Sequence, residues 1–366
     1  MKLSIVSKEK AEELIPEIAK TANTQNKVSQ ADFFSNHPFH VKIETLSKKL
    51  QAPALEGEQY GTYWFYERAR GQYNQNMLKM TESQKKAFKR RHPKRQVITK
   101  TDLAKYYHSY AEKPHIVSLG AQRNFLEFAK TIAKKWDEKE SQFNKLFYQT
   151  IVDIAILFKH SERLVSKADW YQNAFRANIV TYTLALFFHI LRRDYPNKTI
   201  DFNKIWNMQN VPDEVHQELE VISYKVFLEL TKESNNRTRN ITEWAKKKEA
   251  WDEIKSHVHH SFSENFSSAL IDRKKVDEKT KQEEKEQRIS DKMKIQHDVV
   301  RKGEKFWKRV YDFAIKNKMV GEIDLGILKL ASTMESKGKV PTERQAGKLD
   351  EILKQAESEG FTMDGV

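Results

Sequence analysis

Phe143-Asn144-Lys145-Leu146-Phe147-Tyr148-Gln149-Thr150-Ile151-Val152-Asp153-Ile154-Ala155-Ile156-Leu157-Phe158 is the stretch whose spacing decides the fold. Phe143, Leu146, Phe147, Ile151, Ile154 and Phe158 recur three, one or four positions apart. That is the stripe of a helix lying on a core. The same period runs outward in both directions and predicts helices over Ala121–Trp136, Ser141–Ser166, Arg176–Arg193, Pro212–Lys232 and Thr242–His257. Ile179–Leu191 is the most apolar run, but Thr181, Thr183 and His189 interrupt it. It falls short of the ~18 continuous apolar residues of a membrane span, so it predicts a buried core helix.

Upstream the pattern is less regular. Leu3–Val6 predicts a short strand, and Lys8–Thr21 a helix with Ala11, Leu14, Ile15 and Ile18 on one face. Pro38 suits the first turn of a helix running to about Leu50, because a missing N–H costs nothing there. Pro53–Thr62 predicts a loop, Tyr63–Tyr66 an aromatic strand, and Thr81 the cap of a basic helix ending before Pro93. The chain holds only 11 Gly and 8 Pro, too few for an all-β protein full of tight turns, while 20 Phe, 13 Tyr and 7 Trp argue against disorder. The expected fold is therefore mainly α, a helical array with a small α+β patch near the N-terminus.

Between Asp272 and Lys294 nine basic and seven acidic residues leave almost no apolar positions, which predicts an exposed helix or linker. Beyond it, Ile295–Asn317, Ile323–Thr333 and Pro341–Glu359 predict a C-terminal helical module. The expected organisation is an α+β/helical part over 1–110, a helical core over 111–271, a charged connector over 272–294 and the module over 295–366.

Function begins with charge. The 65 basic residues exceed the 51 acidic ones and leave a formal +14, which favours polyanionic partners. The excess is concentrated. Lys85, Lys86, Lys89, Arg90, Arg91, Lys94 and Arg95 fall within eleven residues, uninterrupted by any acid. A helix through them presents a row of phosphate contacts. Just upstream, Trp64-Phe65-Tyr66-Glu67-Arg68-Ala69-Arg70-Gly71-Gln72-Tyr73 interleaves rings with guanidinium groups. Arg68 and Arg70 suit nucleic acid, where rings stack on bases and forks bind phosphates. They suit a structural role equally, with the rings in the core and the arginines in ion pairs.

Catalytic patterns are weak. The chain lacks a Gly-rich phosphate loop, a Ser nucleophile elbow and a His-Glu-x-x-His helix. Zero cysteines remove thiolate metal sites and cysteine nucleophiles. Glu253-Ile254-Lys255 matches half of a metal-dependent nuclease site, yet reads more simply as a charged helix face. His257 and His260 share a helix face near His259, without a carboxylate at ligand spacing. No cofactor or metal is expected, no catalytic residue is assigned, and the chain alone reads more as a binding protein than an enzyme.

Several segments together resemble the AIPR family of bacterial abortive-infection phage-resistance proteins. They are Thr21-Ala22-Asn23-Thr24-Gln25-Asn26-Lys27-Val28-Ser29 with Phe33 and Asn36-His37-Pro38, then Trp64–Tyr73 and Thr99–Lys105. Pro114–Gln122, Arg176-Ala177-Asn178-Ile179-Val180-Thr181-Tyr182 and Pro341–Gln345 continue the series in order. Within them Asn23, Gln25, Asn26, Arg176 and Asn178 are the polar positions of interest. The amides at 23, 25 and 26 suit a base edge, and equally the stitching of a loop to the next helix. The resemblance implies a role in phage defence beside other defence proteins; charge and the lack of a signal-like or membrane-length apolar run make DNA or RNA the expected partner of a cytoplasmic protein, with no membrane. The resemblance also implies a C-terminal portion of longer relatives, whose upstream domain carries an Asn-Gly-x-Gln-Thr type loop, so an N-terminal half is a further expected partner.

Overall fold

The computed structural model describes residues 34–55, 58–232 and 240–362. The chain forms two compact units, residues 1–280 and 281–366. The strand expected at Leu3–Val6, the helix expected at Lys8–Thr21, and Asn23, Gln25 and Asn26 lie outside the described residues.

The first unit opens with α1 (Pro38–Lys49), β1 (Phe65–Glu67), α2 (Gln72–Gln75), α3 (Glu82–Arg91) and β2 (Val97–Thr99). Next come α4 (Lys100–Tyr110), α5 (Pro114–Ser118), α6 (Ala121–Lys139), α7 (Lys145–Lys167) and α8 (Arg176–Asp194). It continues through β3 (Lys198–Ile200), α9 (Phe202–Met208), α10 (Asp213–Thr231), α11 (Ile241–Trp244), α12 (Lys248–His257) and β4 (Leu270–Asp272). A long helix, α13 (Arg273–Lys316), then carries the chain into the second unit, which adds α14 (Glu322–Ala331) and α15 (Glu343–Ser358). The fold is mainly α, with two sheets of two strands each among the described residues.

Two helices make the centre of the first unit. α7 is buried on every side from Ile151 to Phe158, and α8 from Ile179 to Phe188. Helical stretches this nearly apolar all round, with Asp153 in α7 their single carboxylate, belong in a core. Each fully buried Phe or Leu contributes roughly 1.5–3 kcal/mol relative to an exposed one. α7 begins at Asn144, whose side chain accepts from Phe147 N–H. One core runs continuously from Phe39 in α1 to Ala269 before β4. At its N-terminal edge Phe39, Phe143 and Phe147 meet edge to face, with Trp136 stacked on Phe143.

The aromatic strand expected at Tyr63–Tyr66 is formed as β1, ending one residue further along. β1 runs parallel to β2, with Phe65 opposite Val97, Tyr66 opposite Ile98 and Glu67 opposite Thr99. Three residues are too few to show a period of two, which hides β2 in the sequence. α7 holds both strands: Tyr148 Oη donates to Trp64 O at 3.2 Å and Lys159 Nζ to Val97 O at 3.0 Å. The second sheet, β3 against β4, closes antiparallel with Lys198 opposite Asp272 and was unforeseen for the same reason. The single helix expected over Thr242–His257 is two, α11 and α12. The charged stretch and the expected Ile295–Asn317 helix belong to one helical run, α13, broken at Gly303, whose φ of 79° suits glycine.

In the second unit Trp307 is fully buried, and its indole N–H donates to Val299 O at 2.8 Å. Val310, Ala314, Leu328, Leu349, Ile352 and Leu353 complete that core. Thr342 and Gln345 form a reciprocal capping box at the start of α15.

A buried histidine and a half-buried one make the first unit sensitive to acid. His40 on α1 bonds through Nδ1 to Tyr66 Oη at 2.6 Å and stacks parallel to that ring. Burial, and then the charges of His37, Lys100 and Arg68, push its pKa down to about 3. His160 on α7, 2.8 Å from His216, is pushed down to about 4 by burial and by that neighbour. Unfolding lets both rise to the ordinary value near 6.5. The unfolded chain thus binds more protons, and stability is full above that value and falls as pH drops toward the folded values. Each group contributes at most about 1.4 kcal/mol per pH unit in that window. Urea unfolding at pH 7 and pH 5 should show the loss in the parent protein, and a smaller loss in His40→Gln.

Candidate nucleic-acid interface

The Trp64–Tyr73 segment builds a locked turn rather than an open binding strip. Trp64, Phe65, Tyr66 and Tyr73 are all buried, so their rings belong to the core and are not free to stack on bases. Glu67 accepts the N–H groups of Gly71 at 2.8 Å and Tyr73 at 3.2 Å. Gln72 accepts those of Arg68 and Ala69 and donates to Glu44. Gly71 has a φ of 79°, which a side chain would strain. Tyr73 Oη reaches forward to His92 O at 2.7 Å and so ties the turn to the end of α3.

Arg68 is at the middle of this lock. Its Nε donates to Glu44 at 2.9 Å, and its Nη1 to Ser35 O at 3.1 Å and Asn36 Oδ1 at 2.7 Å. These bonds give Arg68 the structural part of its two sequence readings. Arg70, two residues on, is exposed and forms no ion pair among the described residues.

Lys85–Arg95 leads outward. Thr81 and Gln84 cap α3 reciprocally, and its last turn is basic, which suits the negative end of the helix dipole. Phe88 anchors its middle against Phe65 and Tyr73, and the bonds from Tyr73 to His92 O and from Tyr63 N–H to Arg91 O hold its end. Lys85 is occupied by Glu82 at 2.7 Å. Lys86, Lys89, Arg90, Arg91, Lys94 and Arg95 are exposed, without an ion-pair partner among the described residues. Arg91 lies over the Tyr63 ring at 4.5 Å and Lys94 over Tyr73 at 4.8 Å, so two cations are held in place by rings.

Beside α3 lies a cleft of about 750 Å³. Lys89, Arg90, Arg91 and Arg95 form its basic wall, and the Tyr60–Tyr63 loop faces them. Tyr60 is 77% exposed and supplies the free ring that the buried aromatic run does not. The loop is held by Gln51 Nε2 donating to Gly61 O at 2.8 Å and by Tyr63 N–H donating to Arg91 O at 2.8 Å. A Cβ on Gly61 would stand 2.0 Å from Ala52 O, so only glycine fits. Tyr60 gave no sequence signal because it lies in a polar loop outside any periodic run.

Arg95 also lines a second cleft, of about 710 Å³, together with Arg176. Two residues singled out for different reasons, 81 positions apart, therefore share one wall. Arg176 donates to Ser166 Oγ at 3.0 Å. Asn178 has a structural role, donating to Ser118 Oγ at 3.0 Å and joining α8 to α5. Thr99 and Asp102, in another of the family-like segments, form the capping box of α4.

The nuclease-like fragments do not converge. Lys255 pairs with Asp252 at 2.8 Å, and Glu253 lies on the same short helix, α12. His257 meets Glu229 at 2.9 Å and His260 meets the buried Glu218 at 2.6 Å, so the carboxylates missing from local spacing arrive from α10. Those are two separate pairs. Among the described residues no group of three or more His, Cys, Asp or Glu is placed to hold a metal ion, and no helix is long and apolar enough to cross a membrane.

The Glu44–Arg68 bond makes a quantitative test of the lock. Burial raises the Glu44 pKa, but the hydrogen bonds from Lys48, Arg68 and Gln72 outweigh it and hold the carboxyl below the ordinary carboxylate range. The stability this supplies is present above that range and lost as pH falls through the folded pKa. Arg68→Ala should cost about 1–3 kcal/mol at neutral pH by leaving Glu44 under-satisfied. Arg68→Lys should not restore it, since the three donors of a lysine radiate from one nitrogen and cannot span acceptors set around Nε and Nη1 of a planar guanidinium. Urea unfolding of the variants checks both.

Comparison with known proteins adds the identity. A family model described as AIPR protein matches residues 1–234. The match takes in every family-like segment quoted above except Pro341–Gln345, which lies beyond it. No curated protein matches, and no solved structure matches. With well over half of its length matched, the chain belongs to the AIPR family.

Proposed function

We propose that this AIPR-family chain is a cytoplasmic anti-phage defence protein that binds nucleic acid through the exposed surface of α3 and its extension to Arg95. Family membership suggests the defence role, abortive infection and phage resistance. The observation that carries the binding role is the exposure of Lys86, Lys89, Arg90, Arg91, Lys94 and Arg95 with no carboxylate paired to them among the described residues. A cationic face left unneutralised keeps a full counterion-release gain for a polyanion. The adjacent cleft, with Tyr60 opposite Arg90 and Arg91, adds a ring for an unpaired base. A partner protein of the defence system remains compatible with this surface.

The test is binding of fluorescent single- and double-stranded DNA and RNA across a salt series. The slope of log affinity against log salt should be about −0.7 to −0.9 per phosphate neutralised. Lys89→Glu with Arg90→Glu and Arg91→Glu should cut affinity at least tenfold and shallow the slope, at unchanged helical content. Unchanged affinity in that variant would sink the proposal. Adding Mg²⁺ or Mn²⁺ to the same samples reads cleavage, which is expected to be absent; cleavage abolished by Glu253→Ala or His257→Ala would assign an enzyme instead.

A further inference from the structure

The second cleft has a chemistry that the α3 surface lacks. Lys159, Arg163 and Lys167 stand four residues apart on α7 and form one row along its emerging face. Arg176 enters from the first turn of α8, and Arg95 from the short 3-10 turn Lys94–Gln96 before β2. Among the lining residues Glu162 is the single carboxylate, and it lies 3.9 Å from Lys105. Arg163 and Lys167 are exposed and form no ion pair among the described residues. Five cations thus converge on about 710 Å³, a volume within the ~300–1,000 Å³ of small-molecule sites.

The remainder of the wall is of another kind. Leu55, Trp64, Ile156 and Met208 give it apolar surface, and Met208 is 43% exposed at the rim. Gln96 is 4% exposed, and its side-chain carbonyl oxygen has no intramolecular partner. Gln209, whose left-handed φ of 47° ends α9, is fixed at both ends of its amide, accepting from the Trp64 indole N–H at 2.8 Å and donating to Trp206 O at 2.7 Å, and Asn210 follows it. The Gln96 and Asn210 amides, which can donate and accept together, suit the edge of a planar heterocycle. Lys159 is half-buried under the cationic row, and burial lowers its pKa; an anion beside it would relieve that desolvation.

From this geometry we infer a nucleotide pocket: the cleft between α7, the start of α8 and the Met208–Asn210 turn takes a nucleoside polyphosphate, phosphates on Arg163, Lys167 and Arg176, base against Met208 and the Gln96 amide. An acidic peptide would leave the apolar wall unused, and inorganic phosphate would fill too little of the volume. A nucleic-acid strand fits the open face of α3 better than a concave pocket. The inference is independent of the α3 reading and shares only Arg95 with it.

Isothermal titration calorimetry on the full chain tests it, with ATP, GTP and inorganic tripolyphosphate as probes. A nucleotide should bind more tightly than tripolyphosphate. Arg163→Glu with Arg176→Glu, both exposed, should weaken it about tenfold or more. Gln96→Leu should narrow the gap between nucleotide and tripolyphosphate while leaving tripolyphosphate unchanged. The absence of binding by every probe, or binding indifferent to the charge reversal, overturns the site. Equal affinity for nucleotide and tripolyphosphate overturns the nucleoside part. Loss of oligonucleotide binding in the Arg163→Glu, Arg176→Glu variant, with no nucleotide bound by the parent, shows instead that the cleft extends the nucleic-acid path.

Discussion

The burial of α7 is the constraint on which the rest of the first unit depends. Eight consecutive residues, Ile151–Phe158, are enclosed, so α1, α4, α8, α9 and α10 must pack around α7. A helix cannot stay enclosed once its sequence turns basic. At Lys159 it therefore emerges, and Lys159, Arg163 and Lys167 come out on one side. The core and the cationic row are consecutive parts of a single helix, and the position of one fixes the direction of the other.

Polar groups near the N-terminus of the described region divide by the same logic of satisfaction. Glu44, Glu67, Arg68 and Gln72 spend their bonding capacity on one another and on backbone N–H and C=O groups. That removes them from a binding surface and makes them the frame of one. The frame fixes β1, and Tyr73 then fixes the end of α3 through His92. The cations of α3 have no such partners and face solvent. Arg68 and Arg70 thus differ in role because one fork meets a buried carboxylate and the other meets water.

Much of the architecture was legible before any coordinates. Long periodic helices were readable because each buries an apolar stripe whose spacing is fixed by the helix itself, as at Phe143–Phe158. The cap at Thr81 and the first-turn Pro38 were legible because helix starts are local chemistry. The three-residue strands were not. Val97–Thr99 becomes a strand only because Phe65–Glu67 lies beside it and Lys159 takes the Val97 carbonyl. The break of Thr242–His257 into two helices was also hidden, since the apolar residues on either side keep nearly the same period.

The sequence by itself determined the helical class, the central buried pair of helices, the exposed basic run at Lys85–Arg95 and the family. All of these rest on local composition and on spacing along the chain. Only the tertiary structure decided that the Trp64–Tyr66 rings are core, that Arg68 is a clamp, and that Tyr60 is the exposed ring. It alone brought Arg95, Lys159, Arg163 and Arg176 to one cleft. The physical reason is that burial and pairing are relations between residues distant in sequence, and a guanidinium carries no mark of whether a carboxylate or water will meet it.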